Sequence, residues 1–369
     1  MRSQSLRGNP DRFSRACQRR KFLVHIALFC QYNSFKTSVT RLRFIEVIHR
    51  QTERPAWLDL QHPRKNRLTV HKPPRLRPGA RIGVMAPAGS VDRQAVQSGI
   101  AAIRAEGFEV ELAPNLFASN GYLAGDAKLR AQDLLELFRR RDIDAIFCAR
   151  GGFGSIQLLP YLTVEVEKFP KIFVGYSDIT VLLNWIRQFC GIVTFHAPMV
   201  AMDLARGLSQ QSKTHLWSVL TGETAEWKLT LGEMIKPGRA EGEVMGGCLS
   251  LLVTTLGTPY EIDTVGKILF LEDIGEKPYR IERMLTQLKM AGKLAHVAGV
   301  LFGDFTNCED DGPRGIRQVV EELFSDSAYP VVMGMKAGHG QENLTLPFGA
   351  TMALDGNSAS LELLESPVA

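Results

Sequence analysis

Short apolar runs alternate with longer helix-like stretches between residues 81 and 195, and this alternation constrains the fold more than any other feature. The runs are rich in β-branched and aromatic residues, which favours buried strands, whereas stretches 94–105 and 128–141 have the apolar spacing of helices. The predicted strands span residues 81–87, 108–112, 143–149, 172–174 and 192–195. Strands joined by helices of this length lie parallel, with right-handed crossovers. The pattern therefore predicts an α/β protein whose N-terminal domain contains a parallel sheet of the Rossmann or flavodoxin-like type.

The chain changes character after this region. Residues 202–240 are polar and irregular and are interpreted as a connection. From residue 241 onward short strands mix with helices, which predicts a second, mixed α/β domain. The predicted organisation is an N-terminal domain over 79–201, the connection, and a C-terminal domain over 241–369, with the active site in the cleft between the two domains.

Residues 1–78 differ in charge from the rest of the chain. They hold 18 Lys and Arg against 4 Asp and Glu, a balance of +14, whereas residues 79–369 hold the remaining 26 and 35, a balance of −9. The single apolar patch at 22–30 is too short to span a bilayer. We expect this basic extension to be disordered or absent from the mature protein, for example because of a start codon placed too far upstream. A transit peptide and a nucleic-acid-binding arm are the alternatives.

The cysteines of residues 79–369 are scattered and form no C-x-x-C pair, which predicts neither a disulfide framework nor a zinc site. They are Cys148, Cys190, Cys248 and Cys308. No apolar run in the chain reaches the length of a transmembrane helix. A cytoplasmic protein with no membrane partner is the simplest expectation from these two observations.

Ser177 lies at the turn between the predicted strand 172–174 and a helix-like stretch at 181–186. A serine in this position can project its hydroxyl into a cleft, and the amide of Asp178 then lies at a helix N-terminus, where backbone N–H groups are unpaired. This is the arrangement of a nucleophile elbow, although the usual G-x-S-x-G pattern is absent. The alternative is that Ser177 or Asp178 only caps the helix.

A second turn, at residues 150–155, contains Gly151, Gly152 and Gly154 directly after a buried strand. Glycines allow a backbone to approach a ligand closely, and their N–H groups can hold a phosphate, a carboxylate or a developing oxyanion. Neither the P-loop nor the dinucleotide-binding pattern is present. A tight turn without a ligand is the alternative interpretation.

Glu272 and His339 each follow a predicted strand in a glycine-bearing loop. A serine nucleophile needs a base within hydrogen-bond reach, and that base needs an orienting acid. His339 alone among the four histidines of residues 79–369 has glycine on both sides. Asp273 and Glu276 occupy the same turn as Glu272, and their spacing does not decide which of the three acids is functional.

Several motifs follow one another along residues 79–369. They are Ala86-Pro87-Ala88-Gly89, Arg150-Gly151-Gly152-Phe153-Gly154, Gly175-Tyr176-Ser177-Asp178-Ile179-Thr180, Phe195-His196-Ala197-Pro198-Met199, Gly257-Thr258-Pro259, Leu271-Glu272-Asp273-Ile274-Gly275-Glu276-Lys277-Pro278-Tyr279-Arg280-Ile281-Glu282-Arg283-Met284-Leu285 and Gly338-His339. In this order they resemble the LD-carboxypeptidases, a serine peptidase family that also includes the microcin C self-immunity peptidases. One departure is Cys248, which stands where family members often have an asparagine.

The resemblance implies a triad of Ser177 as nucleophile, His339 as base and Glu272 as acid, with an oxyanion hole formed by the backbone amides of Gly152 and Asp178. It implies no metal and no organic cofactor. The implied substrate is the murein tetrapeptide, cut before its terminal D-alanine during cell-wall recycling. The microcin immunity branch is the alternative, and the oligomeric state stays open, a homodimer included.

Two further classes of protein fit parts of the sequence. Two α/β lobes around a cleft also describe nonenzymatic solute receptors, but we find no secretory signal, and all three triad candidates are present. The basic extension alone suggests a nucleic-acid-binding protein, which would bind in a salt-dependent manner. We expect a small peptide substrate and no nucleic acid partner.

Overall fold

The first of two sheets has the strand order of a flavodoxin-like domain. The structure, a computed structural model, describes residues 69–223, 227–309, 312 and 314–369, all within the compact unit Gln61–Ala369. The parallel strands are β1 (Arg81–Met85), β2 (Glu109–Leu112), β3 (Ala145–Cys148), β4 (Ile172–Gly175) and β5 (Thr194–His196). They lie in the order β2-β1-β3-β4-β5. The predicted parallel sheet is therefore confirmed.

The first two helices of this part begin where aspartates accept backbone hydrogen bonds. The helices are α1 (Arg93–Ala105), α2 (Ala127–Arg139), α3 (Thr180–Cys190) and α4 (Gln210–Thr221). Asp92 caps α1 by accepting from Ala95 N at 2.8 Å, and Asp126 caps α2 by accepting from Lys128 N at 2.8 Å. Between β3 and β4 the crossover is made of 3-10 turns instead of an α-helix, and Pro160 lies within the first of them.

The second sheet combines a parallel centre with antiparallel flanks. Its strands are β6 (Lys228–Thr230), β7 (Glu233–Lys236), β8 (Arg239–Cys248), β9 (Ile268–Ile274), β10 (Gly299–Thr306), β11 (Val331–Met333), β13 (Thr351–Asp355) and β14 (Ser360–Leu363). The order is β6-β14-β13-β8-β9-β10-β11-β7, and β8 to β11 are parallel. Helices α5 (Leu249–Thr254), α6 (Pro278–Met290) and α7 (Ile316–Leu323) belong to this part. The second domain is thus mixed α/β, as predicted.

The predicted domain limits differ from the structure in three places. The segment 202–240 is not irregular: it contains α4, β6 and β7, because α4 buries an apolar face that includes Leu216 and Val219. Strand β12 (Leu346–Phe348), although late in the chain, pairs antiparallel with β5 at the edge of the first sheet.

The third difference concerns the end of the basic extension. Residues 1–68 lie outside the described residues, so the prediction of disorder there stays a prediction. Residues 69–78 belong to the body, because His71 N donates to Gly191 O at 2.9 Å and Leu76, 2% exposed, donates from its amide to Leu220 O at 2.9 Å. Among the described residues, no helix combines the length and the apolar character needed to cross a membrane.

Candidate active site

Three turns at the carboxyl ends of β1, β3 and β4 meet, as the parallel sheet predicts. Gly89 N donates to Gly151 O at 3.0 Å, which joins the first turn to the second. Gly151 lies so close to the third turn that a Cβ on it would be 2.9 Å from Ser177 Cβ and 3.1 Å from Ser177 Oγ. Only glycine fits this contact without displacing its neighbour.

Ser177 has the backbone strain of an elbow. Its φ of 61° is one of three positive values among the described non-glycine residues, and such a conformation persists only where the surrounding structure enforces it. A short 3-10 turn, Ser177–Ile179, follows and continues into α3. Neither Ser177 nor Asp178 supplies a side-chain cap to that helix. The capping alternative is therefore wrong for both residues.

Asp178 ties the nucleophile turn to the glycine-rich turn. Its buried carboxylate accepts from Ser155 N at 2.8 Å, and burial raises the pKa of this carboxyl although the Ser155 hydrogen bonds and Arg130 oppose the shift. The amides of Gly152 and Asp178 donate no hydrogen bond to any other described residue. Two free backbone donors thus belong to the two turns that meet at Ser177.

Arg130 holds the glycine-rich turn through hydrogen bonds, a role that no motif in the sequence indicates. Arg130 is 1% exposed, and its guanidinium donates to Pro87 O, to Gly154 O at 2.9 Å and to Gln157 Oε1 at 2.7 Å. Because Pro87 and Gly154 lie in the first and second turns, Arg130 fixes one turn against the other.

Glu272 and His339 form a direct pair. Glu272 is the fifth residue of β9 and is fully buried, and its Oε2 lies 2.7 Å from His339 Nδ1. Gly338, with a φ of 120°, makes this approach possible, since a Cβ there would be 2.5 Å from Glu272 Oε2. Gly338 therefore serves the contact of His339 with the acid.

The two competing acids of the same turn have other partners. Asp273 accepts from Ser250 N and from its neighbour Ile274 N, both at 2.8 Å. Glu276 forms an exposed ion pair with Arg280 at 3.3 Å. Of the three acids, only Glu272 contacts His339.

His339 lies beside the nucleophile turn. Its ring centroid is 4.9 Å from that of Tyr176, the residue before Ser177, and its side chain is 11% exposed. Tyr176 is itself fixed, because its hydroxyl donates to Asp203 Oδ1 at 3.1 Å. The structure shows no hydrogen bond between Ser177 Oγ and any described residue; such bonds often form fully only when substrate is bound.

Electrostatics reinforce the Glu272–His339 pair. Burial raises the pKa of Glu272, but the imidazoles of His196 and His339 more than offset it, so the net shift is downward. Burial lowers the pKa of His339, but the hydrogen bond and charge of Glu272, with Asp273 and Asp203, raise it above its usual value. At neutral pH the pair therefore holds a carboxylate next to a histidine of increased basicity.

Asp304 is a further acidic group near the pair that the sequence did not single out. It lies at the irregularity between Phe302 and Phe305 where β10 pairs with β9, a feature common next to active sites. Its carboxylate lies so close to Gly340 that a Cβ there would be 2.2 Å from Oδ2. Burial and the negative charge of Glu272 raise the pKa of Asp304 to about 6.

Cys248 is a buried thiol at the end of β8, in register with Glu272. Its amide donates to Thr180 Oγ1 at 3.1 Å, and its Sγ lies 3.5 Å from Asp273 Oδ1. Burial raises the pKa of this thiol well above its usual value, which makes it a poor nucleophile. Within the described part of the chain, no group of three or more potential ligands is arranged to hold a metal ion.

Comparisons with protein families and with individual proteins identify relatives of this chain. Two family models match the chain: the LD-carboxypeptidase N-terminal domain over residues 82–197, and the LD-carboxypeptidase C-terminal domain over residues 241–354. A Bacillus subtilis protein named "Probable murein peptide carboxypeptidase" is 41% identical over 293 residues, which cover 77% of this chain and 92% of that protein.

Two solved structures share the fold. The muramoyltetrapeptide carboxypeptidase from Oxalobacter formigenes superposes with a TM-score of 0.72 at 29% identity, covering 78% of this chain and 100% of that one. The structure of MccF in complex with glutamyl sulfamoyl guanosine gives a TM-score of 0.76 at 24% identity, with coverage of 80% and 99%. The second likeness, at this low identity, shows the fold alone.

Proposed function

The chain belongs to the LD-carboxypeptidase family, and from that premise we propose that it hydrolyses the amide bond before the C-terminal D-alanine of murein tetrapeptides. The proposed machinery is a triad of Ser177, His339 and Glu272. The observation that carries the proposal is the 2.7 Å contact between His339 Nδ1 and Glu272 Oε2 beside a serine with a φ of 61°. A strained serine next to an oriented imidazole is the arrangement that acyl transfer requires.

The reaction begins with proton transfer from the serine. Glu272 Oε2 is an acceptor, so the proton of the neutral imidazole lies on Nδ1 and the lone pair of Nε2 is free to take the Ser177 Oγ proton. The oxygen then attacks the carbonyl carbon of the scissile amide. The developing oxyanion is held by the free amides of Gly152 and Asp178.

The tetrahedral intermediate collapses when His339 returns the proton to the leaving nitrogen. D-Alanine departs, and the rest of the peptide stays as an ester on Ser177. Water, deprotonated by His339, attacks this ester and releases the shortened peptide with a new carboxyl group. Glu272 stabilises the imidazolium that forms in each half of the reaction.

The proposed partner is a small peptide, and the proposed setting is cell-wall recycling in the cytoplasm. Names of relatives support the murein substrate, since the Bacillus subtilis protein and a Pseudomonas aeruginosa relative are both named as murein peptide carboxypeptidases. Neither a nucleic acid nor a membrane surface is needed for the reaction.

A pair of synthetic tetrapeptides that differ only in the chirality of the last alanine tests the proposal. We expect the D form to release alanine about tenfold to a few hundredfold faster, because inverting the α-carbon leaves oriented donors unpaired. Ser177→Ala is the matched inactive control. No release from the D peptide would overturn the proposal, and equal rates on both peptides would favour a less selective amidase of the microcin immunity type.

A further inference from the structure

His196 is a buried histidine that the proposed mechanism does not use. It is the last residue of β5 and is 0% exposed, and neither of its ring nitrogens has a hydrogen-bond partner among the described residues. Burying an unpaired polar group is unfavourable, so such an atom calls for an explanation.

The best candidate acceptor for a hydrogen bond from His196 belongs to the acid of the proposed triad. His196 Nε2 lies 3.8 Å from Glu272 Oε1, which is also buried and also has no hydrogen-bond partner. Glu272 Oε2 is already engaged by His339. The two unpaired atoms therefore face each other at a distance slightly longer than a hydrogen bond.

Aromatic rings hold the His196 ring in place without competing for its nitrogens. The ring centroids of Tyr176, Phe270 and Phe348 lie 5.7, 5.1 and 5.7 Å from that of His196. Phe270 belongs to β9 and Phe348 to β12, so the packing comes from both sheets. A closure of less than 1 Å, on the order of ordinary side-chain motion, would complete the hydrogen bond.

We propose that His196 is a positioning residue for the triad: it donates Nε2–H to Glu272 Oε1 and so keeps Oε2 directed at His339 Nδ1. This inference rests on the proposed function. Partners of this kind orient the groups that act directly and tune their basicity. Glu272 would then be held from both sides, by one histidine on each oxygen.

The proposal has a consequence for pH dependence. The other groups that interact with the Glu272–His339 pair are Tyr176, Asp203, Cys248, Asp273 and Asp304, and Lys336 interacts with Asp304. The carboxylates of Asp203, Asp273 and Asp304 all favour the protonated form of the Glu272–His339 pair. Removing the His196 donor, which favours the charged carboxylate, therefore raises the proton affinity of the pair and moves the acidic limb of kcat/KM to higher pH.

Two substitutions separate positioning from packing. His196→Gln keeps an N–H donor near the position of Nε2 but loses the ring, whereas His196→Phe keeps the ring and loses the donor. We expect His196→Phe to lower kcat by about tenfold to a hundredfold, with little change in KM, and to shift the acidic limb upward by about half to one pH unit. His196→Gln should retain more activity and the wild-type limb.

A purely structural His196 would give the reverse ranking, with His196→Phe close to wild type and His196→Gln impaired, and this result would overturn the proposal. Phe348→Leu is the control, because it loosens the same ring cluster without removing the donor. We expect it to lower the melting temperature and leave the acidic limb in place. If Phe348→Leu moved the limb as far as His196→Phe does, the proposal would also fail.

An NMR titration separates this inference from the proposed function, because it needs no substrate. The ring nitrogens of His339, assigned by their loss in His339→Gln, are followed against pH in the full chain carrying Ser177→Ala. We expect His196→Phe to raise the titration midpoint of His339 and His196→Gln to leave it unchanged. An unchanged midpoint in both would overturn the role of His196, whereas a wild-type chain that cleaves no peptide would overturn only the proposed function.

Discussion

At the scale of single residues, the assignment of the acid depends on distances that a sequence does not contain. The spacing within residues 272–276 left three carboxylates open, and the 2.7 Å contact with His339 singles out Glu272. Asp273 has two backbone donors of its own. A replacement of each should therefore have a different effect.

Glu272→Gln is expected to lower kcat/KM by about 10⁴-fold, because the amide no longer stabilises the imidazolium and can favour the wrong tautomer. Asp273→Asn should retain much more activity. The acidic limb of the wild-type profile should lie above the pH at which a free histidine titrates, since the raised pKa of His339 means that the base is lost as pH falls through that raised value. Steady-state rates on the D tetrapeptide from pH 5 to 9 measure both effects. A larger loss in Asp273→Asn than in Glu272→Gln would mean that the acid is misassigned.

Asp304→Asn should stabilise the protein, but only at a pH above the range in which the Asp304 carboxyl titrates. The pKa of Asp304 is raised to about 6 from 3.8, so the unfolded chain binds fewer protons there and stability falls as pH rises from 4 to 6. Because the side chain is only partly buried, we expect a gain of only about 1 kcal/mol, or about 2 °C in Tm, at pH 7.5 and almost none at pH 4. Thermal unfolding at the two pH values checks this. An equal gain at both would show that the charge is not responsible.

At the scale of elements, strands β1, β3, β4 and β5 were readable because they are short, largely buried runs with β-branched or aromatic residues, whereas the edge strand β2 is partly exposed. The 3-10 crossover between β3 and β4 was not, since its apolar residues have no helical period and Pro160 interrupts it. Helix α4 was also missed, because Gln210, Gln211 and Lys213 give its first turn the composition of a loop. The surface against which the apolar face of α4 packs is formed by residues distant in the sequence, so it can be identified only from the structure.

The glycine-rich turn contacts the turn that carries Ser177, and a substitution at Gly151 tests whether this contact is needed. Gly151→Ala would place a Cβ 2.9 Å from Ser177 Cβ and 3.2 Å from Asp178 N, which should displace the nucleophile and an oxyanion donor together. We expect about a hundredfold loss of kcat/KM with the fold retained, since displacements of about 1 Å have effects of this size. Gly315→Ala is the control, because nothing lies within 4 Å of that position. Equal activity of both variants would argue that the contact between the turns is not functional.

At the scale of the whole molecule, composition located the basic extension but not its limit. Charge separated residues 1–78 from the rest, yet residues 69–78 include Leu76, which is buried, and a backbone contact from Arg75 N to Ala369 O at 3.1 Å. Because charged residues lie between these contacts, a boundary drawn from charge alone assigned residues 69–78 to the basic extension. Similarly, β12 comes from the C-terminal region but completes the first sheet.

Two deletions test the corrected limit. Removing residues 1–68 should leave peptidase activity and melting temperature nearly unchanged. Removing residues 1–78 should lower the melting temperature, because it exposes the surface that Leu76 covers and removes the hydrogen bonds of His71 and Leu76 to the body. Differential scanning calorimetry of both truncated chains makes the comparison. Equal melting temperatures would show that residues 69–78 add no stability.

The central claim, that Ser177 is an activated nucleophile served by His339, is tested most directly by covalent labelling. A fluorophosphonate reacts with an activated serine hydroxyl, and intact mass with peptide mapping locates the adduct. We predict one adduct, on Ser177, absent in Ser177→Ala, formed at least a hundredfold more slowly in His339→Ala, and unaffected in Asp273→Asn. An adduct on another residue, or labelling of wild type and His339→Ala at the same rate, would contradict the account.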